Sequence, residues 1–217
     1  LTGLLNNLPD GILAAVVIVA IRGLVALKEF RHLWKMHRSD FAIAMTAVVC
    51  VLVFGILKGV LIAAVTTLVL MIKSVSKPHV AFLGRIPGTS RYTDIGRHPD
   101  NESITGMLIF RVESSILYFN AENIRNAVWD RVLSCEPSLK TVICDLSTSP
   151  FIDRAGARLI KQLYMDLQAK GISFRIADAH AEVRDMLRLE EVEHLLGHIS
   201  RKDSLEDLVM ESLDSEQ

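Results

Sequence analysis

The residues of this chain best suited to chemistry lie in one loop. Residues 143–156 read ICDLSTSPFIDRAG. An apolar strand ends at Asp145, and three hydroxyls follow at Ser147, Thr148 and Ser149. Pro150, Phe151 and Ile152 then lead to Asp153, which is placed to cap a helix whose first turn holds Arg154 to Gly156. Such a helix end attracts anions through its free N–H groups and its dipole, and Arg154 adds a positive charge. Three readings stand open. The loop is structural, with Asp153 as cap and Phe151 and Ile152 plugging the core. It binds an anion or a nucleotide phosphate. Or it is a phosphorylation switch, with Ser147, Thr148 or Ser149 as acceptor. Acid–base or metal work by Asp145 and Asp153 is set aside, because no His or third carboxylate stands at matching spacing. The seven histidines are scattered; His180, His194 and His198 fall near helix ends and are expected to face solvent.

The elements that must hold this loop follow from hydrophobic period. KTVICDL, 140–146, is a short buried strand, and DRAGARLIKQLYMDLQAKG, 153–171, is a helix with Leu159, Ile160, Leu163, Tyr164 and Leu167 inward and Gly171 as its stop. Upstream, VAFLGRI, 80–86, is a first strand and PGTSRYTD, 87–94, is turn chemistry. GMLIFRVESSILYFN, 106–120, reads as a strand pair or a bulged strand. In AENIRNAVWDRVLSC, 121–135, Ile124, Val128, Val132 and Leu133 share a helical face. ISFRIAD, 172–178, alternates as a strand. EVRDMLRLEEVEHLL, 182–196, and DSLEDLVMESL, 203–213, are helical, the latter opening with Asp203 and Glu206 in capping-box spacing. Strands alternating with helices give an α/β domain with its own core.

The chain ahead of that domain is different in kind. Half of the 217 residues are hydrophobic and mean hydropathy is +0.33, yet 23% are charged. Segregation reconciles the two. Residues 1–80 carry 8 Lys/Arg against 3 Asp/Glu, and the remainder 16 against 22. A basic, apolar front and an acidic back predict a membrane part followed by a soluble domain. The run 41–72 holds one charge, Lys58. As one helix it would reach about 48 Å, beyond a ~30 Å hydrocarbon core, so two helices reversing at GILKG, 55–59, are expected. GILAAVVIVAI, 11–21, extended to Leu27, can also span, with Pro9 and Asp10 as its start and Arg22 snorkelling near the interface. The basic stretch 22–40 and the basic residues after 72 point both flanks, and the α/β domain, toward the cytoplasm. Phe30, Leu33, Trp34 and Phe41 fall at the spacing of an interfacial amphipathic helix. Arg22 and Lys58, at helix ends, are expected to be anchors rather than substrate ligands. Cys50, Cys135 and Cys144 lack metal spacing and read as reduced thiols. No secretory signal is expected at Leu1, and the absence of an initiator Met suggests a piece of something longer.

D-L-S-x-S-x-F-I-D-x-x-G before an amphipathic helix resembles the signature loop of STAS domains, found in anti-sigma factor antagonists and in sulfate permease (SulP) transporters. In the antagonists a phosphorylated Ser follows the Asp; here the order is Asp153-Arg154-Ala155-Gly156, so that switch position is lost and the loop architecture remains. NNLPDGILAAVVIVAIRGLV, FGILKGVLIA and SKPHVAFLGRIPGTSRYTDIGRHPD (76–100) resemble the last membrane helices and linker of bacterial SulP permeases. The resemblance implies α-helical membrane segments (1–75), a linker and first-strand region (76–103) and an α/β STAS domain (104–214) with a mixed sheet and packed helices. It implies secondary active transport of an anion, sulfate foremost, with bicarbonate, chloride and dicarboxylate open. It further implies an inner-membrane location, a homodimer, and a cytoplasmic STAS domain serving regulation and assembly, with a possible nucleotide at the STAS loop. The substrate site is expected on earlier helices, outside these residues. No cofactor, enzymatic activity or nucleic-acid partner is expected. The alternative is a membrane-anchored STAS signalling or nucleotide/anion-binding module without transport.

Overall fold

The computed structural model describes residues 10–24, 34–35, 38–135, 137–197, 199–201 and 203–214. The chain divides into two compact units, Leu1–Met71 and Ile72–Gln217.

Helix α1 spans Asp10–Leu24, α2 Arg38–Phe54 and α3 Ile56–Val75. The break inside the 41–72 run falls at one residue, Gly55, whose φ of 80° is a left-handed value that glycine adopts without strain. A Cβ on Gly59 would lie 2.4 Å from the Val51 Cα. In a continuous helix those residues would stand about 12 Å apart. The chain therefore doubles back at Gly55, and hydrogen at Gly59 lets the two backbones touch. Lys58 belongs to the first turn of α3, not to the turn itself. Thr46, Thr66 and Thr67 each donate to the carbonyl four residues back at 2.8 Å, so their hydroxyls need no water. Large apolar side chains lie open on several sides, Leu57 at 87% exposure, which demands a non-aqueous surround. Among the described residues α3 is long and apolar enough to cross a membrane; the apolar part of α2 is the shorter Phe41–Phe54. The Trp34 and Phe41 rings meet edge to face at 4.7 Å. Pro9, residues 25–33 (with Leu27, Phe30 and Leu33), the Arg22 side chain and His198 lie outside the described residues.

The second unit is built on a five-stranded sheet, with β1 Val80–Arg85, β2 Tyr92–Asp94, β3 Met107–Val112, β4 Thr141–Asp145 and β5 Ser173–Ala177, in the order β2-β1-β3-β4-β5. β1 pairs antiparallel with β2 and β3, whereas β3, β4 and β5 run parallel. The parallel pairs need crossovers, supplied by α4 (Ala121–Cys135) and α5 (Arg154–Gln168). β4 is buried at all five positions, as an interior parallel strand covered on both faces must be. One face packs on α4, α5 and α6 (Ala181–Leu189), with α7 (Glu193–Leu196) beyond. The other is covered by α8 (Leu205–Asp214), which sets Leu205, Leu208 and Val209 on Ala81, Leu83, Ile109 and Ile143.

Several expectations are corrected. Residues 106–120 give one strand, β3, because Glu113 and the serines after it carry the chain off the sheet; Ile116 returns only as an isolated bridge to Ile152. The turn segment 87–94 contains the short strand β2. Leu133 is 49% exposed, one position off the stripe of Ala121, Ile124, Val128 and Val132. Tyr164 is only half-buried. The 182–196 helix breaks where Glu191 takes φ 58°. The cap of α8 is Ser204 with Asp207, not Asp203 with Glu206. The Ser204 hydroxyl donates to Asp207 at 2.6 Å and accepts the Asp207 N–H at 3.2 Å. Asp203 instead accepts the Ser200 N–H, and Glu206 accepts hydrogen bonds from Arg85 (3.1 Å) and from the Tyr92 hydroxyl, pinning α8 to β1 and β2.

Arg125 of α4 donates to Asp166 of α5 at 2.8 Å, and Gln162 adds a bond at 2.7 Å. The Arg125 bond holds the Asp166 carboxyl below its ordinary 3.8. A carboxylate whose folded pKa is depressed stabilises the fold above the ordinary value and loses that contribution as pH falls through the folded one. The melting temperature of the full chain is therefore expected to drop as pH falls below about 4, the ordinary carboxylate value. Asp166→Asn should make that limb shallower while lowering stability at pH 7. An unchanged limb in thermal melts across pH would refute the assignment.

Candidate functional site

The loop after β4 is organised around Asp145. Its side chain is 1% exposed, and Arg111, the one cation in β3, stands directly across the ladder. Arg111 reaches Oδ2 through Nε at 2.7 Å and Nη2 at 2.6 Å, and Oδ1 accepts the Ser147 N–H at 2.8 Å. Both oxygens of a buried carboxylate thus have partners, and the strand end is fixed. Beside it, burial and the Asp145 charge push the Cys144 thiol well up, so Cys144 is a protonated core residue.

The hydroxyls that follow are tied down. Thr148 Oγ1 donates to the Val112 carbonyl at 2.9 Å. Ser149 Oγ, fully buried, lies 3.0 Å from that same carbonyl and 2.9 Å from that of Ser114. They close the end of β3 against the loop. Ser147 is half-buried, and its carbonyl lies 2.9 Å from His180 Nε2. Ser149 has no route to solvent in this arrangement; Ser147 and Thr148 do.

Asp153 is the N-cap of α5, as its position predicts. Oδ1 accepts the Gly156 N–H at 2.9 Å, and Oδ2 accepts the Tyr118 N–H at 2.8 Å. One carboxylate thus occupies the helix end and ties it to the loop after β3. Gly156 is required by close approach: a Cβ there would lie 2.6 Å from both the Ile116 carbonyl oxygen and Ile152 Cγ1. Arg154 and Arg158 both turn to Glu190 at the end of α6, at 2.7 and 3.6 Å. The Arg154 bond, with Arg158 behind it, lowers the Glu190 pKa. A cleft of about 380 Å³ opens here between Tyr118, Asp153, Arg154, Ala155 and Arg158.

The structure therefore brings Asp153 and Arg154 to the cleft, sets the buried Gly156 in the helical turn behind them, and ties Asp145, Thr148 and Ser149 into the end of the sheet. Sequence reading missed Arg111, Glu190 and the His180 contact. Arg111 had a signal: a lone cation in MLIFRV and a lone anion in TVICD are each costly inside a sheet unless paired. Glu190 had none, since it arrives from a distant helix. Among the described residues no group of three or more His, Cys, Asp or Glu is placed to hold a metal ion.

Residues 98–206, half of the chain, match the STAS domain model, over the parallel strands β3 to β5, the loop and the start of α8. The chain belongs to the STAS domain family. Its first 47 residues match the Sulfate permease family model, so this STAS domain follows a sulfate permease membrane segment. High affinity sulfate transporter 1 of Stylosanthes hamata is 31% identical over 205 residues, covering 91% of this chain and 31% of the relative. A probable sulfate transporter of Mycobacterium tuberculosis is 28% identical over 187 residues, covering 86% and 33%. The chain thus spans about a third of the length of these relatives. The fold is shared with the murine solute carrier 26 family member A9 anion transporter, solved in an inward-facing state. There the TM-score is 0.76 at 19% identity, covering 95% of this chain and 34% of that one. Within the region matched to the STAS domain model, Arg154 and Ala155 stand between Asp153 and Gly156.

Proposed function

We propose that this chain is part of a secondary active anion transporter, with sulfate as the first substrate to test and bicarbonate, chloride or a dicarboxylate behind it. The observation that carries the reading is the order of its parts: a Sulfate permease match at the front, an apolar helix in α3, and a STAS domain behind. The sulfate transporters that align along most of the chain support it. The described helices are scaffold; substrate ligands are supplied by other helices of the transporter. Basic residues on both sides of the α2–α3 pair, against Lys58 alone between them, favour a cytoplasmic STAS domain. The short tether raises its effective concentration at the membrane face, which suits regulation and dimer contact. A nucleotide at the STAS loop would take the cleft at Arg154 and Arg158, with the exposed Tyr118 ring as a stacking surface.

The test is labelled-sulfate uptake in a bacterium lacking its own sulfate permeases, expressing the protein in its native genomic form. Uptake above the vector control is expected, reduced by deletion of 104–217 at equal membrane abundance. No uptake of any of the four anions would overturn the transport reading, and unchanged uptake after the deletion would overturn the regulatory one. A cysteine placed at Asp185 should resist membrane-impermeant maleimide in intact cells and react after lysis; labelling of intact cells would reverse the topology.

A further inference from the structure

A groove lies on the STAS unit away from the signature loop, where the C-terminal turn of α4 leaves β1 and the start of β3 uncovered. Two cavities of about 360 and 400 Å³ adjoin there and share Phe82, Ile95 and Arg131. The inner cavity is walled by Leu83, Ile104, Met107 and Leu139 together with Phe82, and the hydroxyl residues Ser103 and Thr105 stand at its edge. The outer cavity exposes more apolar than polar surface, and its other charged groups face each other: Asp94 holds His79 at 2.9 Å and Arg97 at 4.0 Å. At the junction, the Arg131 guanidinium lies over the Phe82 ring, 5.5 Å from its centroid, with no carboxylate partner among the described residues.

A recess of mixed apolar and hydroxyl lining, with an oriented cation at its mouth that no described carboxylate neutralises, is the composition of a site for an amphipathic anion. The ring beneath Arg131 holds the guanidinium plane, and its donors remain free for a bidentate carboxylate. We infer that this groove binds a small organic monocarboxylate. Its carboxylate sits on Arg131 and an apolar body of up to roughly ten heavy atoms lies in the inner cavity. An inorganic anion would meet Arg131 and leave the apolar walls unused, so this ligand is distinct from a transported sulfate. The inference stands on the groove alone and does not require transport.

The experiment is calorimetric titration of the full chain in a zwitterionic detergent with acetate, butyrate and hexanoate at constant ionic strength. Affinity should rise ~fourfold per methylene that enters the cavity. Arg131→Gln should weaken hexanoate by about tenfold or more, as loss of a charge-assisted bond does. Thr105→Trp, which fills the edge of the cavity and leaves Arg131 in place, should weaken it comparably. Arg158→Gln, at the other cleft, should not, and excess sulfate should displace hexanoate poorly. Absence of saturable binding overturns the inference. So does hexanoate affinity that survives both groove substitutions, which would mark partition into detergent. If Arg131→Gln fails to fold, Thr105→Trp decides.

Discussion

Replacing Gly156 by alanine lowers the melting temperature of the full chain by about 9 °C, the shift expected from a loss of roughly 3 kcal/mol in a protein of this size. The added methyl meets two obstacles at 2.6 Å, the Ile116 carbonyl oxygen and Ile152 Cγ1. The carbonyl cannot yield freely, because it accepts the Asp153 N–H at 3.1 Å while the Ile116 N–H donates to Phe151 at 3.1 Å. Pushing it aside breaks the bridge that joins the loop after β3 to the entrance of α5. The Asp153 cap, which needs both Gly156 and Tyr118, loosens with it. Helical propensity runs the other way, since alanine is the better helix former by up to about 1 kcal/mol. The steric term is larger, so the sign is destabilising. Thermal unfolding followed by circular dichroism decides it, and a stabilised Gly156→Ala variant would mean that the two segments stand farther apart than described.

Asp145→Ala costs about the same or more. Truncation leaves Arg111 between β3 and β4 without its carboxylate, and breaking a pair of this kind costs roughly 3–5 kcal/mol. Arg111 retains 23% exposure and can recruit some water, which places the expected loss near 3 kcal/mol. The paired variant Arg111→Met with Asp145→Leu separates charge pairing from shape. It removes both charges and should recover much of the loss, because no ion is left buried alone. Chemical denaturation of the two variants beside the parent measures this. A double variant no better than Asp145→Ala would show that the carboxylate acts through Ser147 rather than through Arg111.

Much of the second unit was legible because its local signals agree. Apolar runs of five or six residues became strands, Gly171 ended α5 with φ 74°, and the Asp153 cap is where its spacing put it. The failures share a cause. Leu133 and Glu206 were assigned from sequence neighbours, but their surroundings are set by chain segments far away. Glu206 was available to cap its own helix; it pairs instead with Arg85 and Tyr92, more than a hundred residues upstream, and Ser204 took the cap. In the loop, the residue types suggested chemistry at the surface. The hydroxyls of Thr148 and Ser149 are consumed by the orphaned carbonyls at the end of β3, a demand that appears only once the strand is known to stop at Val112. At the front, composition showed that the apolar run must break. The position of the break, at Gly55 alone, depended on the tight backbone approach at Gly59.

The way the second unit begins bears on force. Only residues 76–79 separate α3 from β1, and that link is not slack: the Ser76 carbonyl accepts from Asn123 at 2.8 Å and His79 is held by Asp94. β1 is an interior strand, flanked by β2 and β3. A tug arriving through the link cannot peel away an edge; it must shear the β1–β3 ladder and drag β2 with it. The domain is thus harnessed at an interior strand, where a pull on the link meets paired backbone on both sides rather than a free edge.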